Sequence, residues 1–121
     1  MATFEDSLRG YGHPVHVRSV FRCAYCGYDG RSFPSWLQLA VDHVMPVHQG
    51  GPDADENKVT VCQFCNASTS RMRFEPGLTR EEIIAQKRQR VQQRQAEYFQ
   101  FWLEHVAPRY AESPAERHDS S

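Results

Sequence analysis

The chain has 121 residues, 40% of them hydrophobic and 24% charged, with 14 Lys and Arg against 15 Asp and Glu and a formal net charge of -1. That length allows one small domain plus at most one added element, and the balanced charge excludes the broadly basic surface of a protein that coats nucleic acid. No stretch has the apolar length of a membrane span and Met1-Ala2-Thr3-Phe4-Glu5-Asp6 is no signal peptide, so the cytoplasm is the expected compartment and disulfides are not expected.

Residues 1–14, with Gly10, Gly12 and Pro14, read as a loose N-terminal arm. A short element from Val15 to Phe21 leads into Cys23-Ala24-Tyr25-Cys26-Gly27, where the glycine lets the backbone turn back on itself. Tyr28 to Ser35, broken by Gly30 and Pro34, is expected to be loop. The run Trp36-Leu37-Gln38-Leu39-Ala40-Val41 predicts a strand ending near Val44, which puts the adjacent Asp42 and His43 on opposite faces at its end. A turn-rich loop, Pro46 to Glu56, contains Gly50-Gly51 and precedes Lys58-Val59-Thr60-Val61, β-branched and alternating, the second strand. Cys62-Gln63-Phe64-Cys65-Asn66 follows, and Ala67 to Met72 continue as a short helix.

After Pro76-Gly77 the chain changes character. Thr79 and Glu82 form a capping-box pair, and no Gly or Pro occurs up to His105, so a long helix is predicted from about Arg80 to Val106, stopped by Pro108. Its second half carries Tyr98, Phe99, Phe101, Trp102, Leu103 and Val106, a broad apolar face expected to be buried against the domain or a partner, as core or as a dimer seam. His105 within it is read as packing, and His13 and His16 as surface or capping residues.

Two C-x-x-C pairs, Cys23/Cys26 and Cys62/Cys65, carry the strongest local signal. Each pair can grip one tetrahedral metal from a tight knuckle, and two knuckles complete a Zn²⁺ shell of four thiolates. The competitor is a redox pair, which requires only one C-x-x-C. Structural zinc would staple the first knuckle to the end of the second strand and compensate for a small core. A shell filled by four thiolates has no open position, so such a zinc is not the catalyst. The predicted organisation is therefore an arm (1–14), a zinc-stapled domain (15–78), a long helix (79–107) and a polar tail (108–121).

Charge is distributed unevenly. Between Val41 and Leu78 the acids Asp42, Asp53, Asp55, Glu56 and Glu75 outnumber Lys58, Arg71 and Arg73, an imbalance that a divalent cation partly offsets. Further on, Lys87, Arg90 and Arg94 fall on one helical face, where a solvated stripe and a contact to a nucleic-acid backbone are equally good readings. His48 is read as a solvated loop residue.

The ordered set of a C-x-x-C knuckle, Asp42-His43 at a strand end, Gly50-Gly51, Asn57 before a strand, and Cys62-x-x-Cys65-Asn66 resembles the HNH endonucleases, also called ββα-metal or His-Me finger nucleases, in their zinc-stapled form. The resemblance runs from about Cys23 to Arg71. It implies an α+β fold, a small ββα-metal (treble-clef-like) domain with a four-cysteine structural zinc, to which the long C-terminal helix is added. It also implies His43 as general base, Asp42 and Asn66 as ligands of one catalytic Mg²⁺ or Mn²⁺, and Asn57 as the residue that holds the inter-strand loop and so orients the histidine. Many members carry a Lys soon after C-x-x-C-N; here Arg71 is the first cation, which moves the expected phosphate contact to Arg71 or Arg73.

The chemistry agrees with those roles. Carboxylate and amide oxygens suit a hard cation, and an imidazole titrating near neutrality suits the deprotonation of water. The expected function is hydrolysis of DNA phosphodiesters (RNA being the other polymer), giving 5′-phosphate and 3′-hydroxyl ends as the resemblance implies. The alternative is a non-catalytic zinc-dependent module that binds nucleic acid or serves as an adaptor. A homodimer or larger complex would form through the aromatic helix; a membrane partner is not expected.

Overall fold

The computed structural model describes residues 8–110, so most of the predicted tail and the first half of the predicted arm lie outside the described residues. In chain order the elements are α1 (Leu8–Arg18), α2 (Phe33–Trp36), β1 (Leu39–His43), two short 3-10 turns (Val47–Gln49 and Asp55–Asn57), β2 (Lys58–Cys62), α3 (Gln63–Thr69) and α4 (Arg80–His105). No described helix is long and apolar enough to cross a membrane.

The first departure from the sequence reading is α1, where a loose arm is expected. Gly10, Gly12 and Pro14 disfavour a helix locally, but packing overrides them. A Cβ on Gly12 would stand 2.7 Å from Val41 Cγ2 and 2.8 Å from His16 Nε2, so its absence lets the helix press onto β1. Val15 and His16 are 2% and 1% exposed, and His16 Nδ1 lies 2.6 Å from Thr60 Oγ1 on β2. His16 is thus a packed interior residue, contrary to its reading as a surface or capping group. The chain leaves α1 through Val20 and Phe21, both at positive φ, with Phe21 N–H donating to the His16 carbonyl at 2.8 Å.

Across the first knuckle Gly27, at φ 80°, donates its N–H to the Cys23 carbonyl, and Cys23 N–H bonds the Tyr28 carbonyl. The knuckle is fixed to the sheet by Ala24 N–H on the Thr60 carbonyl at 2.8 Å. Ser32 then caps a single helical turn, receiving Ser35 N–H on its Oγ, with Pro34 in that first turn. This turn consumes Trp36, and Leu37 and Gln38 close it with bonds to Phe33 and Ser35 carbonyls, so β1 begins at Leu39.

β1 and β2 form a two-stranded antiparallel sheet, with Leu39 opposite Cys62, Asp42 opposite Val59 and His43 opposite Lys58. Every β2 residue is buried, whereas β1 after Leu39 is half-buried, so β2 is the inner strand. α3 starts directly after β2, at Gln63, and ends at Thr69; it begins earlier and stops sooner than the sequence suggests. Together these three elements are the ββα arrangement of the α+β fold expected.

The described residues fall into two compact units, 8–91 and 92–110. In the first unit the core gathers Tyr25, Val44, Val59, Val61, Phe74, Ile83, Ile84 and Val91 around the cysteines. The beginning of α4 contributes to it, with Ile83, Ile84, Lys87 and Val91 buried. The capping box is formed: Glu82 Oε1 accepts from Thr79 N–H at 2.8 Å and Thr79 Oγ1 accepts from Glu82 N–H at 3.1 Å. In the second unit Tyr98, Phe99, Phe101, Trp102 and Leu103 are 40 to 61% exposed in the single chain. Phe99 stacks on Trp102 and Phe101 packs on His105 along the helix.

Candidate active site

The sulfur cluster comes first because it fixes the frame. Cys23 and Cys26 leave the first knuckle, while Cys62 and Cys65 stand at the end of β2 and in α3, and all four Sγ atoms lie within 4.8 Å of one another. Cys26 and Cys62 Sγ are 3.7 Å apart, close to the ~3.8 Å that two thiolates subtend on a tetrahedral zinc with Zn–S near 2.3 Å. Burial pushes the Cys26 thiol up to about 11. Hydrogen bonds from Cys62 and Cys65 hold Cys23 well below the usual thiol range, while hydrogen bonds with Cys23 and Cys62 drive Cys65 far up. Four such groups cannot all ionise without a cation between them; a divalent metal removes the conflict, so the donor set fits zinc.

From this frame the end of β1 delivers Asp42 and His43, and α3 delivers Asn66 one residue beyond Cys65. Asp42, His43 and Asn66 line one cavity of about 200 Å³, together with His48, Thr69, Ser70 and Lys87. Strand alternation does send the two β1 side chains to different partners, but both border that cavity.

Asp42 is held on one oxygen. Its Oδ2 accepts from Tyr25 Oη at 2.6 Å and from Lys87 Nζ at 2.7 Å, while neither group contacts Oδ1 within hydrogen-bonding distance. Burial, then the Asp42 charge, push the Tyr25 hydroxyl far above its ordinary range, so it stays a donor. Lys87 also donates to the His43 carbonyl at 3.0 Å, and its ammonium lies 5.5 and 5.6 Å from the ring centres of Tyr25 and Phe74.

His43 faces another carboxylate. Its Nε2 lies 2.9 Å from Asp53 Oδ1, which also accepts from Tyr11 Oη at 2.9 Å and pairs with Lys58 Nζ at 3.2 Å. The contacts with these three groups, His43 foremost, hold the Asp53 carboxyl down to about 2. Lys58 reaches the same oxygen as His43 because the two are cross-strand neighbours.

Asn57 ties the inter-strand loop at both ends. Its Oδ1 accepts from Met45 N–H at 2.9 Å, and its Nδ2 donates to the Met45 and Pro52 carbonyls at 3.0 and 2.9 Å. The Gly50-Gly51 pair makes this loop possible for two different reasons. Gly50 sits at φ 89°, and a Cβ on Gly51 would collide with the Met45 carbonyl. Gln49 closes the other side by exchanging two hydrogen bonds with the Phe74 backbone.

The basic residues divide. Arg71 and Arg73 are exposed just after α3. Lys87, expected on the outward stripe with Arg90 and Arg94, points inward with its side chain 2% exposed, because it continues the buried stripe of Ile83, Ile84 and Val91. Its ammonium is engaged by Asp42 and borders the cavity. Arg90 Nε contacts the Ser68 carbonyl at 3.5 Å, and Arg94 pairs with Glu97 and the Tyr98 hydroxyl within its own helix.

Three residues of the site were not read from the sequence: Tyr25, Asp53 and Lys87 in its inward role. The signal for Lys87 existed, since it falls at helical spacing from Ile83, Ile84 and Val91. Tyr25 is hidden between two cysteines, and nothing local separates Asp53 from Asp55 and Glu56.

Residues 23–71 match the HNH endonuclease family, over the segment on which the sequence resemblance rests. No curated protein and no solved structure gives a match.

Proposed function

We propose, from a segment that matches the HNH endonuclease family, that the protein is a metal-dependent endonuclease hydrolysing DNA phosphodiester bonds. The observation that carries this reading is the single cavity shared by Asp42, His43 and Asn66, residues drawn from a strand and a helix that the cysteine cluster joins. Asp42 Oδ1 and the Asn66 amide oxygen are the donors for one Mg²⁺ or Mn²⁺, hard oxygens suited to a hard cation. Bound there, the cation supplies positive charge against the phosphate and the departing 3′ oxygen.

The chain's own residues do the rest. His43 takes a proton from water as the water oxygen bonds phosphorus and the P–O3′ bond breaks, leaving a 5′-phosphate and a 3′-hydroxyl. Tyr25 and Lys87 keep Asp42 turned so that one oxygen remains for the cation. Asn57 holds the loop beside His43. Exposed Arg71 and Arg73, with Arg90 and Arg94, are the proposed phosphate contacts along the polymer. The reduced cysteine cluster suits the cytoplasm, and the exposed aromatic end of α4 is the proposed contact with a second copy or a larger complex, which light scattering of the purified chain tests.

The test is plasmid cleavage with Mg²⁺ or Mn²⁺, with RNA as a parallel substrate. His43→Ala is expected to cut about 10²- to 10⁴-fold more slowly, the usual contribution of a positioned general base. Equal cutting by both proteins removes His43 from the mechanism. One observation favours a second reading, a non-catalytic nucleic-acid-binding or adaptor module: Lys87 already neutralises Asp42. Under that reading the zinc-loaded protein shifts DNA in a gel but cuts it with no divalent metal.

A further inference from the structure

We infer that Asp53 is the positioning residue for His43: its carboxylate fixes the imidazole in the Nε2–H tautomer, so that Nδ1 is the basic atom. The inference rests on the nuclease reading for its catalytic meaning, but the contact that carries it stands in the resting protein. His43 Nε2 lies 2.9 Å from Asp53 Oδ1. A solvent-exposed carboxylate is ionised throughout the neutral range and can only accept. The nitrogen facing it must therefore carry the hydrogen, and in a neutral ring the lone pair then resides on Nδ1.

Asp53 is itself fixed from two further elements. Tyr11, on α1, donates its hydroxyl to the same Oδ1 at 2.9 Å, and Lys58, on β2, stands 3.2 Å away with its ammonium 4.5 Å from the Tyr11 ring centre. The carboxylate is 66% exposed, yet three donors from three elements restrict where it can turn. α1, packed on the sheet through Gly12 and His16, thereby brings Tyr11 to the loop that carries Asp53. When Nδ1 takes the proton of the attacking water, the ring becomes an imidazolium whose Nε2–H still points at a negative charge. The proton then passes to solvent, restoring the same tautomer.

The experiment is long-range ¹H–¹⁵N NMR of the ring nitrogens of His43 in the whole, zinc-loaded chain at about pH 8, above the ordinary imidazole range. It is paired with steady-state DNA cleavage by wild type, Asp53→Asn, Asp53→Glu and His43→Ala. The expected spectrum shows the Nε2–H tautomer in wild type and a mixture in Asp53→Asn. The expected kinetics are a fall in kcat of about 10- to 100-fold in Asp53→Asn with KM within about twofold, and partial recovery in Asp53→Glu. An Nδ1–H ring or a tautomer mixture in wild type overturns the inference. So does a wild-type kcat in Asp53→Asn alongside an inactive His43→Ala. Equal cutting by His43→Ala and wild type refutes the nuclease reading instead, and the two failures are separate.

Discussion

Lys87 Nζ sits 2.7 Å from Asp42 Oδ2, a pair 45 residues apart in the chain with side chains 2% and 15% exposed. It couples α4 to the end of β1, and through the His43 carbonyl it contacts the backbone of the proposed base as well. A charge this buried is tolerated because it is paired and hydrogen-bonded; removing one member leaves the other uncompensated.

Lys87→Met is therefore expected to lower stability by about 3 kcal/mol or more, read as a lower urea midpoint with an unchanged m-value. Adding Asp42→Asn to Lys87→Met should recover part of that loss, since the carboxylate no longer lacks a partner. Additive losses in the double variant would show that the pair is not coupled.

Zinc is expected at about one ion per chain, with chelation reducing both folding and the thermal midpoint. Cys62→Ser should disturb folding more than activity per folded molecule, because Cys62 ends β2 and starts the turn into α3. A metal-free chain that melts at the same temperature would contradict a structural role for the cluster.

Asn57→Ala removes three hydrogen bonds from a residue that is 8% exposed. The expected cost is about 2 to 3 kcal/mol at roughly 1 kcal/mol per bond. Asn57→Asp should do no better, since it loses both donors and sets a negative charge against two carbonyls. Amide exchange at Met45 is the local readout: protection there should fall in both variants before it falls in β2.

The Asp53 carboxyl should titrate near 2, well below its ordinary range near 3.9. The sign follows from the depressed value: the folded state binds the proton less readily than the unfolded chain, so this group's contribution to stability is fully present above about pH 4 and lost as pH falls through about 2. Carboxyl ¹³C NMR measures it directly. Tyr11→Phe removes one of the three donors and should move the titration upward; an unchanged titration in that variant would show the Tyr11 contact to be absent in solution.

Gly51→Ala is expected to be among the most disruptive single changes in the loop, because the added Cβ meets the Met45 carbonyl. Gly50→Ala should be milder: its site has open space and its cost is the positive φ alone. Equal effects of the two substitutions, measured by thermal melting, would contradict this distinction.

Local chemistry written into short stretches was legible from the chain alone. Spacing within each C-x-x-C dictates a two-sulfur knuckle, the Thr79/Glu82 pair announces the start of α4, and β-branched alternation from Lys58 to Val61 defines β2; each depends on neighbours a few bonds away. Residues whose surroundings are assembled from distant segments were not legible. α1 forms because Gly12 meets Val41 and His16 meets Thr60. Lys87 turns inward because a carboxylate waits on β1, and Asp53 differs from Asp55, with which it shares Lys58, because Tyr11 and His43 converge on it. Burial and pairing of charge are properties of three-dimensional proximity, so tertiary structure alone decided which acids and bases meet.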